Sequence, residues 1–367
     1  MNRTSPSTAP RLAITLGDVA GVGPEVVVRS LVTFLPQRDW RVVLVGCPVV
    51  VRRALAMLSV AWEVVSIDDC GDDWCRPGQL IVWNPSRAAV NEVPVGVADA
   101  RAGRAAYEWL VAATRAGLAG QIDAIVTAPL SKLGLHRAGI DFPGHTEILA
   151  AECGVPEVAM MLYLPPGEPL APGHSLSIAH ATLHTSIASV PGLLTKHRIR
   201  ETIQLIDTFL KRIGEQPRIG VCALNPHAGE EGLFGDEEAR VIAPAVAEAC
   251  QLGINARGPR PADTLIKSAV AGEFNGVVAM YHDQGHIALK LIGFHRAVNV
   301  TLGLPIIRTS PSQGTAYDIA WTGKADPSGM VSAIETAVRL ANPNQFPKER
   351  DNGDAIFPID PHGEQLK

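Results

Sequence analysis

Residues 218–253, RIGVCALNPHAGEEGLFGDEEARVIAPAVAEACQLG, contain the pattern that decides the fold. A short apolar run opens this stretch and stops at an Asn-Pro pair, and a polar, glycine-bearing segment separates it from a longer alanine-rich run. A short apolar run bounded by turn residues predicts a buried strand, whereas the longer run predicts a helix. The stretch therefore predicts one strand–loop–helix unit of an α/β protein.

The same alternation recurs along the rest of the chain. We predict strands within residues 11–17, 40–46, 79–84, 123–129, 175–182, 218–226, 276–282 and 297–303, and helices within residues 105–120, 193–214 and 237–253. Short, continuously apolar strands are typical of largely parallel sheets covered by helices, so we expect a doubly wound α/β fold. Ligands of such sheets bind beyond the carboxyl ends of the strands, where functional residues are therefore expected.

Composition excludes several classes of protein. The 367 residues are 47% hydrophobic and 19% charged, and the formal net charge of −5 does not suit a nucleic-acid-binding surface. No apolar run reaches the roughly 18 residues of a membrane span. The polar start MNRTSPSTAPR has no apolar signal core behind it. We expect a soluble, cytoplasmic protein with neither nucleic-acid nor membrane partners.

Three histidines each follow a predicted strand, namely His184, His227 and His282. If they converge at one end of a sheet, three neutral imidazoles suit a divalent transition metal and leave a position open for substrate. Ordinary loop histidines are the alternative, and the segment YHDQGHIALK (residues 281–290) also suits a proton relay or a plain polar loop. Lys290 and Arg308 suit a substrate that carries anionic groups.

Other polar segments allow more than one interpretation. GDVAGVGPE (residues 17–25) is either an anion-binding turn or a plain tight turn, and it matches neither the dinucleotide fingerprint nor the P-loop. In FPGHTE (residues 142–147), Thr146 either caps a helix or joins His145 in a donor cluster for phosphate or carboxylate. Acids 236–238 are expected in the first turn of a helix, where the helix dipole favours them.

With these residues assembled, the chain resembles the 4-hydroxythreonine-4-phosphate dehydrogenase family of pyridoxal phosphate biosynthesis. The resemblance runs from ITLGDVAGVGPEVV (residues 14–27) to GKAD (residues 323–326). It depends on the motifs FPGHTE, LNPHAGEEGLFGDEE, PADT, MYHDQGHIALK and VNVTLGLPIIRTSPSQGTAYDIA.

The resemblance implies an isocitrate-dehydrogenase-like two-domain α/β fold and a homodimer whose active site lies in an interdomain cleft at the subunit interface. From their polar composition, residues 1–10 are expected to form a disordered tail and residues 346–367 a polar tail. Residues 11–138 with 303–345 form a cofactor-side domain. Residues 139–302 form a domain for metal, substrate and dimerisation.

The resemblance also implies roles for individual residues. One divalent metal (Zn, Mg or Co) per subunit is held by His184, His227 and His282, one of them from the partner chain. The expected catalytic residues are Lys290 and Asp283. The expected substrate-binding residues are His145, Thr146, Lys290, Asn299 and Arg308. The residues expected to bind NAD or NADP are Asp263, Thr301, Gly303, Leu304, Ser310 and Gly314.

The reaction implied is oxidation of 4-phosphohydroxy-L-threonine to a 3-keto acid that decarboxylates to 3-amino-2-oxopropyl phosphate. Similar enzymes act on D-threonate or D-erythronate 4-phosphate or on cyclic diol carboxylates, so these are alternatives, and a metal-dependent hydrolase or acyltransferase is a remoter one. The chain departs from its relatives at Val19, which replaces a proline, and around His184, where it reads ATLHTSI. His286 stands where relatives usually have an apolar residue. His286 and His180 are expected to be structural.

Overall fold

The computed structural model describes residues 9–38, 40–71, 73–156 and 158–342. The predicted polar tail at 346–367 and most of the predicted tail at 1–10 lie outside these residues. The described residues form a mixed α/β fold, which confirms the predicted class. Its strands are β1 (Arg11–Thr15), β2 (Arg41–Val45), β3 (Glu63–Ile67), β4 (Gln79–Trp83), β5 (Ala124–Thr127), β6 (Ala159–Leu164), β7 (Leu176–His180), β8 (Ile219–Cys222), β9 (Ala256–Arg260), β10 (Gly276–Ala279), β11 (Val298–Leu302) and β12 (Ile307–Pro311).

The α-helices follow the strands in the alternating order that the sequence predicts. They are α1 (Gly23–Phe34), α2 (Pro48–Met57), α3 (Ala100–Leu118), α4 (Lys132–Arg137), α5 (His145–Cys153), α6 (Val190–Leu193), α7 (Lys196–Arg212), α8 (Ala243–Gln251), α9 (Ala262–Val270), α10 (His282–Gly293) and α11 (Ser328–Ala341). Local sequence explains where the longest ones begin. Asp99 caps α3 by accepting from the Arg101 N–H, and Thr195 caps α7 by accepting from the Arg198 N–H.

All eight predicted strands are present, each shorter than its predicted window. The strands β3, β6, β9 and β12 were not predicted. β9, with the sequence ARGPR, has no apolar pattern and pairs with β8 through its backbone. β12 contains Arg308, a charged residue that interrupts the apolar pattern of a buried strand. β9 and β12 pair with β8 and β5, which are distant in sequence, so local pattern does not predict these two strands.

The chain divides into two compact units. Unit 1 contains the described residues up to Val158 and from Leu304 onward, and unit 2 contains Ala159–Gly303. The segment 139–158, which the sequence analysis placed in the metal-side domain, belongs to unit 1. The physical reason is packing, because α5 lies against α3 and Arg115 of α3 forms an ion pair with Glu152 of α5.

Unit 1 is built on parallel strands in the order β3-β4-β2-β1-β5-β12. The carboxyl ends of β1 and β5 therefore lie at the same edge. Thr127 ends β5, and the register pairs Thr309 of β12 with Val126 of β5. This register brings Arg308 of β12 beside the end of β5.

Unit 2 has the strand order β11-β6-β7-β10-β8-β9. β6 runs antiparallel to both of its neighbours, whereas β7, β10 and β8 are adjacent and parallel. Because parallel neighbours end at the same edge of a sheet, the segments that follow β7, β8 and β10 all begin at one edge of the sheet in unit 2. These are the segments that carry His184, His227 and His282.

Among the described residues, no helix combines the length and the hydrophobicity that crossing a membrane requires.

Candidate active site

Two of the three predicted metal ligands lie close together in unit 2. β7 ends at His180 and exposed His184 follows it, while His282 is the first residue of α10 after β10. The ring centroids of His184 and His282 are 5.8 Å apart. Two of the three imidazoles therefore lie next to each other at this edge.

Asp283 fixes the ring of His282. Nδ1 of His282 lies 2.7 Å from Oδ1 of Asp283, and the two side chains are 37% and 65% exposed. An ionised carboxylate only accepts hydrogen bonds, so Nδ1 is the donor, and the tautomer that carries its proton on Nδ1 has its lone pair on Nε2. A carboxylate that orients a histidine in this way is a common support for a metal ligand.

His227 lies in a strained turn after β8. His227, Ala228, Glu230 and Glu231 have φ values of 53°, 56°, 45° and 54°, and Gly229 between them has a φ of 82°. Left-handed backbone costs non-glycine residues roughly 1–2 kcal/mol each. A run of such residues persists only where its surroundings hold it, and such strain is concentrated at functional sites. The exposed ring of His227 lies 6.4 Å from that of Phe234.

Glu238 holds the two residues that lead into this strained turn. Its buried carboxylate accepts from the backbone N–H groups of Leu224 and Asn225 at 2.8 and 2.7 Å, and from the Asn225 side-chain amide at 3.0 Å. Glu237 accepts from the same amide at 2.7 Å. From sequence, these acids were expected in the first turn of a helix, where the dipole favours them. Glu238 does open the helical turn Glu238–Ile242, but its carboxylate bonds to the strand exit instead.

The described residues contain no group of three His, Cys, Asp or Glu side chains with the geometry to hold a metal ion. His184 and His282 are neighbours, and the ring of His227 lies against that of Phe234. The three predicted ligands therefore do not form a complete metal site within one chain.

Gln284 ties the start of α10 to two strands. Its Oε1 accepts from the Met280 N–H at 2.7 Å, and its Nε2 donates to the Ala223 carbonyl at 2.8 Å. Lys290 lies two turns further along α10 on the face that carries His282 and His286, since the three are spaced by four residues. Its Nζ lies 6.0 Å from the Phe294 ring.

His180 and His286 are buried and bonded to each other, with 3.1 Å between Nε2 of His180 and Nδ1 of His286. Burial and then the nearby His286 lower the pKa of His180 to about 3. Burial and then the nearby His282 lower the pKa of His286 to about 4. Both rings are therefore neutral at neutral pH. Both histidines were expected to be structural, and no signal in the sequence indicated that His286 contacts His282.

In unit 1, Arg308 is 5% exposed and donates from Nε and Nη2 to Oγ1 of Thr127 at 3.2 and 2.7 Å. Burial lowers the pKa of Arg308 to about 10, against the opposing influence of Glu147. The guanidinium is still charged at neutral pH. A buried cation of this kind suits an anionic group of a ligand.

The first turn of α5 lies in the same unit. Gly144 is its N-cap, and no side chain caps the helix, so the interpretation of Thr146 as a capping residue is wrong. Burial and the charge of Arg308 hold the pKa of His145 well below its usual range, although the ring also bonds to the Ala128 backbone. A carbonyl can only accept, so one ring nitrogen of neutral His145 donates to Ala128 and the other presents a lone pair.

The remaining predicted residues differ in accessibility. Thr301, Leu304 and Ser310 are 1%, 0% and 5% exposed, so their side chains belong to the interior of their units. Asp263 is exposed in the first turn of α9, and Gly314 is exposed with no atom within 4 Å of an added Cβ. Two further predicted residues lie in unit 2, namely half-buried Asn299 in β11 and Gly303, whose φ is +90°.

Comparison with known proteins identifies the family. The sequence model described as "Pyridoxal phosphate biosynthetic protein PdxA" matches residues 38–337. The chain belongs to this family. The resemblance proposed from the motifs is thereby confirmed.

Individual PdxA-family relatives match over nearly the whole chain. A 4-hydroxythreonine-4-phosphate dehydrogenase from Geobacter metallireducens is 44% identical over 337 residues, which are 92% of this chain and 97% of the relative. A D-threonate 4-phosphate dehydrogenase from Pectobacterium atrosepticum is 42% identical over 332 residues, which are 90% and 99%. The crystal structure of a 4-hydroxythreonine-4-phosphate dehydrogenase from Klebsiella pneumoniae superimposes with a TM-score of 0.79 at 41% identity and covers 92% of this chain and 100% of that chain.

The role of Glu238 in this PdxA-family chain is testable by Glu238→Gln. The amide brings N–H donors against two backbone donors, so we expect a loss of about 1–3 kcal/mol in the free energy of unfolding. Hydrogen exchange in residues 224–235 should rise in the same variant. Glu237→Gln is the matched control, because Glu237 accepts only from a side-chain amide in this cluster. Equal effects of the two variants would contradict the anchoring role.

Proposed function

We propose that the chain is an NAD(P)-dependent, metal-requiring dehydrogenase. It oxidises 4-phosphohydroxy-L-threonine to a 3-keto acid, which loses carbon dioxide to give 3-amino-2-oxopropyl phosphate. The same oxidation of D-threonate 4-phosphate is the second candidate, because relatives named for the two substrates are 44% and 42% identical to the chain. The observation that carries the proposal is the pair His184 and His282, with Asp283 orienting His282, at the edge where β7 and β10 end.

The donor set at this edge fits a divalent metal. His282 presents the lone pair of Nε2, and the neighbouring ring of His184 supplies a second nitrogen donor. Imidazole donors favour Zn or Co over Mg, which prefers oxygen. When bound, the metal supplies Lewis-acid polarisation of the substrate hydroxyl.

We infer that a second chain supplies His227 and completes the set. The support is twofold. His184 and His282 are neighbours within one chain, whereas the ring of His227 lies against that of Phe234. In addition, α10 and its C-cap residue expose apolar side chains, with Ile287, Leu291 and Phe294 being 56%, 82% and 48% exposed. An exposed apolar face on the helix that begins with His282 suits a homodimer interface.

The phosphate of the substrate is assigned to unit 1. Arg308 is charged and buried, Thr127 holds its guanidinium in place, and the N–H groups of the first turn of α5 have no side-chain cap. A helix N-terminus and a buried arginine both favour a phosphate. Glu147 in the same turn opposes an anion, and we expect the phosphate to replace it as the partner of the Arg308 charge.

In this reaction, Lys290 and Asp283 would have different roles. Oxidation would remove a proton from the hydroxyl and a hydride from its carbon, and NAD(P), when bound, would supply the hydride acceptor. The new carbonyl lies β to the carboxylate and accepts the electron pair of the C–C bond that breaks as carbon dioxide leaves. Lys290 is our candidate for holding the carboxylate or transferring the proton. Asp283 acts by orienting His282, which is a different role from the direct catalytic one expected from sequence.

A hydrolase at the same place is less well supported. It needs a free acid or base beside the metal to activate water. Asp283 is the nearest candidate, and its Oδ1 is bonded to Nδ1 of His282 at 2.7 Å. Because of this bond, Asp283 is better suited to orienting His282 than to activating water.

The function is tested by offering 4-phosphohydroxy-L-threonine and D-threonate 4-phosphate side by side, each with NAD and NADP and with Zn or Co. We expect reduced nicotinamide and carbon dioxide to form together, and a chelator to abolish both. The unphosphorylated acids serve as controls and should be far poorer substrates. Turnover that persists in excess chelator, or the absence of turnover with both phosphorylated acids, would reject the proposal.

Arg308→Lys tests the phosphate assignment. Lysine keeps the charge and loses the bidentate fork, so we expect a rise in KM of roughly ten- to a hundred-fold for the phosphorylated substrate with a smaller change in kcat. Arg29→Lys is the matched control, because Arg29 bonds to the carbonyls of Gly323 and Ala325 within the same unit. An unchanged KM in the Arg308 variant would place the phosphate elsewhere.

Mixed dimers test the shared ligand set. His227→Ala and His282→Ala should each be inactive alone. If the two ligands of one site come from different chains, a reassembled mixture should regain about a quarter of wild-type activity, since half of the dimers are mixed and each has one intact site. The control mixture of His184→Ala with His282→Ala should regain none. Recovery of activity only in the mixture of His184→Ala with His282→Ala would mean that His184 and His282 of one site come from different chains.

A further inference from the structure

Three imidazoles form a continuous column in unit 2. The rings of His282 and His286 are stacked, with centroids 3.7 Å apart and planes inclined by 10°. His286 is bonded in turn to His180, whose ring centroid lies 4.6 Å away. His180 and His286 are buried, whereas the side chain of His282 is 37% exposed.

The direction of the hydrogen bonds in the column is fixed from its buried end. Nδ1 of His180 lies 3.4 Å from the Met160 carbonyl, which can only accept. The neutral His180 ring therefore carries its proton on Nδ1 and accepts at Nε2. The bond of 3.1 Å to His286 then requires Nδ1 of His286 to be the donor. With its donor committed to a buried acceptor, His286 has one preferred ring orientation.

Gly285 permits this arrangement. A Cβ at that position would lie 2.5 Å from Nε2 of His180 and 2.7 Å from Cγ2 of Ile178. Any side chain would push α10 away from β7 and lengthen the bond between His180 and His286. The sequence of this turn therefore keeps α10 within hydrogen-bonding distance of His180.

We propose that His286, held in place by His180, is a positioning residue for the candidate metal ligand His282. His286 fixes the plane of the His282 ring from one face, while Asp283 fixes Nδ1 from its edge. Together these two contacts leave Nε2 of His282 with one direction in which to present its lone pair. This inference rests on the metal site of the proposed function.

His286 itself is poorly placed to bind the same ion. Its ring is nearly parallel to that of His282, so the in-plane lone pairs of the two rings run side by side and do not converge on one point. Ligands of a tetrahedral metal approach it from different directions. His286 thus acts through His282.

The test measures metal binding by the full-length apoprotein in place of turnover. Affinity for Zn is obtained by competition with a chromogenic chelator, and the visible absorption of bound Co reports the ligand geometry. We expect His286→Leu, which removes both the stack and the donor, to lose roughly ten- to a hundred-fold in affinity and to shift the Co bands. His286→Phe keeps a stacking ring and should lose less. His197→Leu is the control, because His197 is an exposed histidine on α7.

The outcomes separate this inference from the proposed function. Wild-type affinity and an unchanged Co spectrum in both His286 variants would overturn the inference while the metal site stands. A wild-type protein that binds neither Zn nor Co would overturn the metal site, and the inference with it. Should His286→Leu not fold, His286→Phe decides the matter by the same two measurements, because a phenyl ring fills the buried space.

Discussion

Helix α10 begins beside strand β7 only because residue 285 has no side chain. An added Cβ would lie 2.5 Å from Nε2 of His180, so any other residue separates the helix from the strand. Gln284 reinforces the contact by bonding to Met280 and Ala223, at the ends of β10 and β8. Each residue from His282 to His286 therefore has a role. Asp283 orients the partly exposed ring of His282, and Gln284 bonds α10 to two strand ends. Gly285 allows α10 to approach β7, and His286 stacks on His282. The candidate metal site depends on this one packing contact.

The sequence indicated the sheet edge where His184 and His282 lie, but it did not indicate the contacts that hold the ring of His282. Strand-like runs before His184, His227 and His282 predicted that polar residues follow parallel strands, and the order β7-β10-β8 brings those three strand ends to one edge. Helix α10 was not predicted, because it opens with polar residues and contains a glycine. Without that helix, the spacing of four between His282 and His286 carries no structural meaning. His180 pairs with His286 only through the tertiary fold.

The acidic residues near the site also show that local sequence patterns do not predict hydrogen bonds formed through the tertiary fold. The helix dipole correctly predicts that Glu238 lies at the start of a helical turn, yet its carboxylate bonds to Leu224 and Asn225, fourteen and thirteen residues away. Likewise, FPGHTE left a choice between a cap and a donor cluster. The structure excludes the capping role of Thr146, because Gly144 is the N-cap of α5 and no side chain caps the helix by a hydrogen bond. The partner of that turn, Arg308, comes from β12, and its burial beside Thr127 cannot be inferred from spacing.

The charge around His145 bears differently on the two candidate substrates. They share the phosphate, the carboxylate and the alcohol that is oxidised, so residues that bind those groups cannot discriminate between them. They differ at C2, where 4-phosphohydroxy-L-threonine has an ammonium and D-threonate 4-phosphate a hydroxyl. Neutral His145 offers a lone pair that accepts from either group, but the cation of Arg308, which already depresses its pKa, repels only the ammonium. If His145 faces C2, a phosphate on Arg308 does more than add affinity, because it screens the guanidinium and makes the amino acid substrate tolerable at that position.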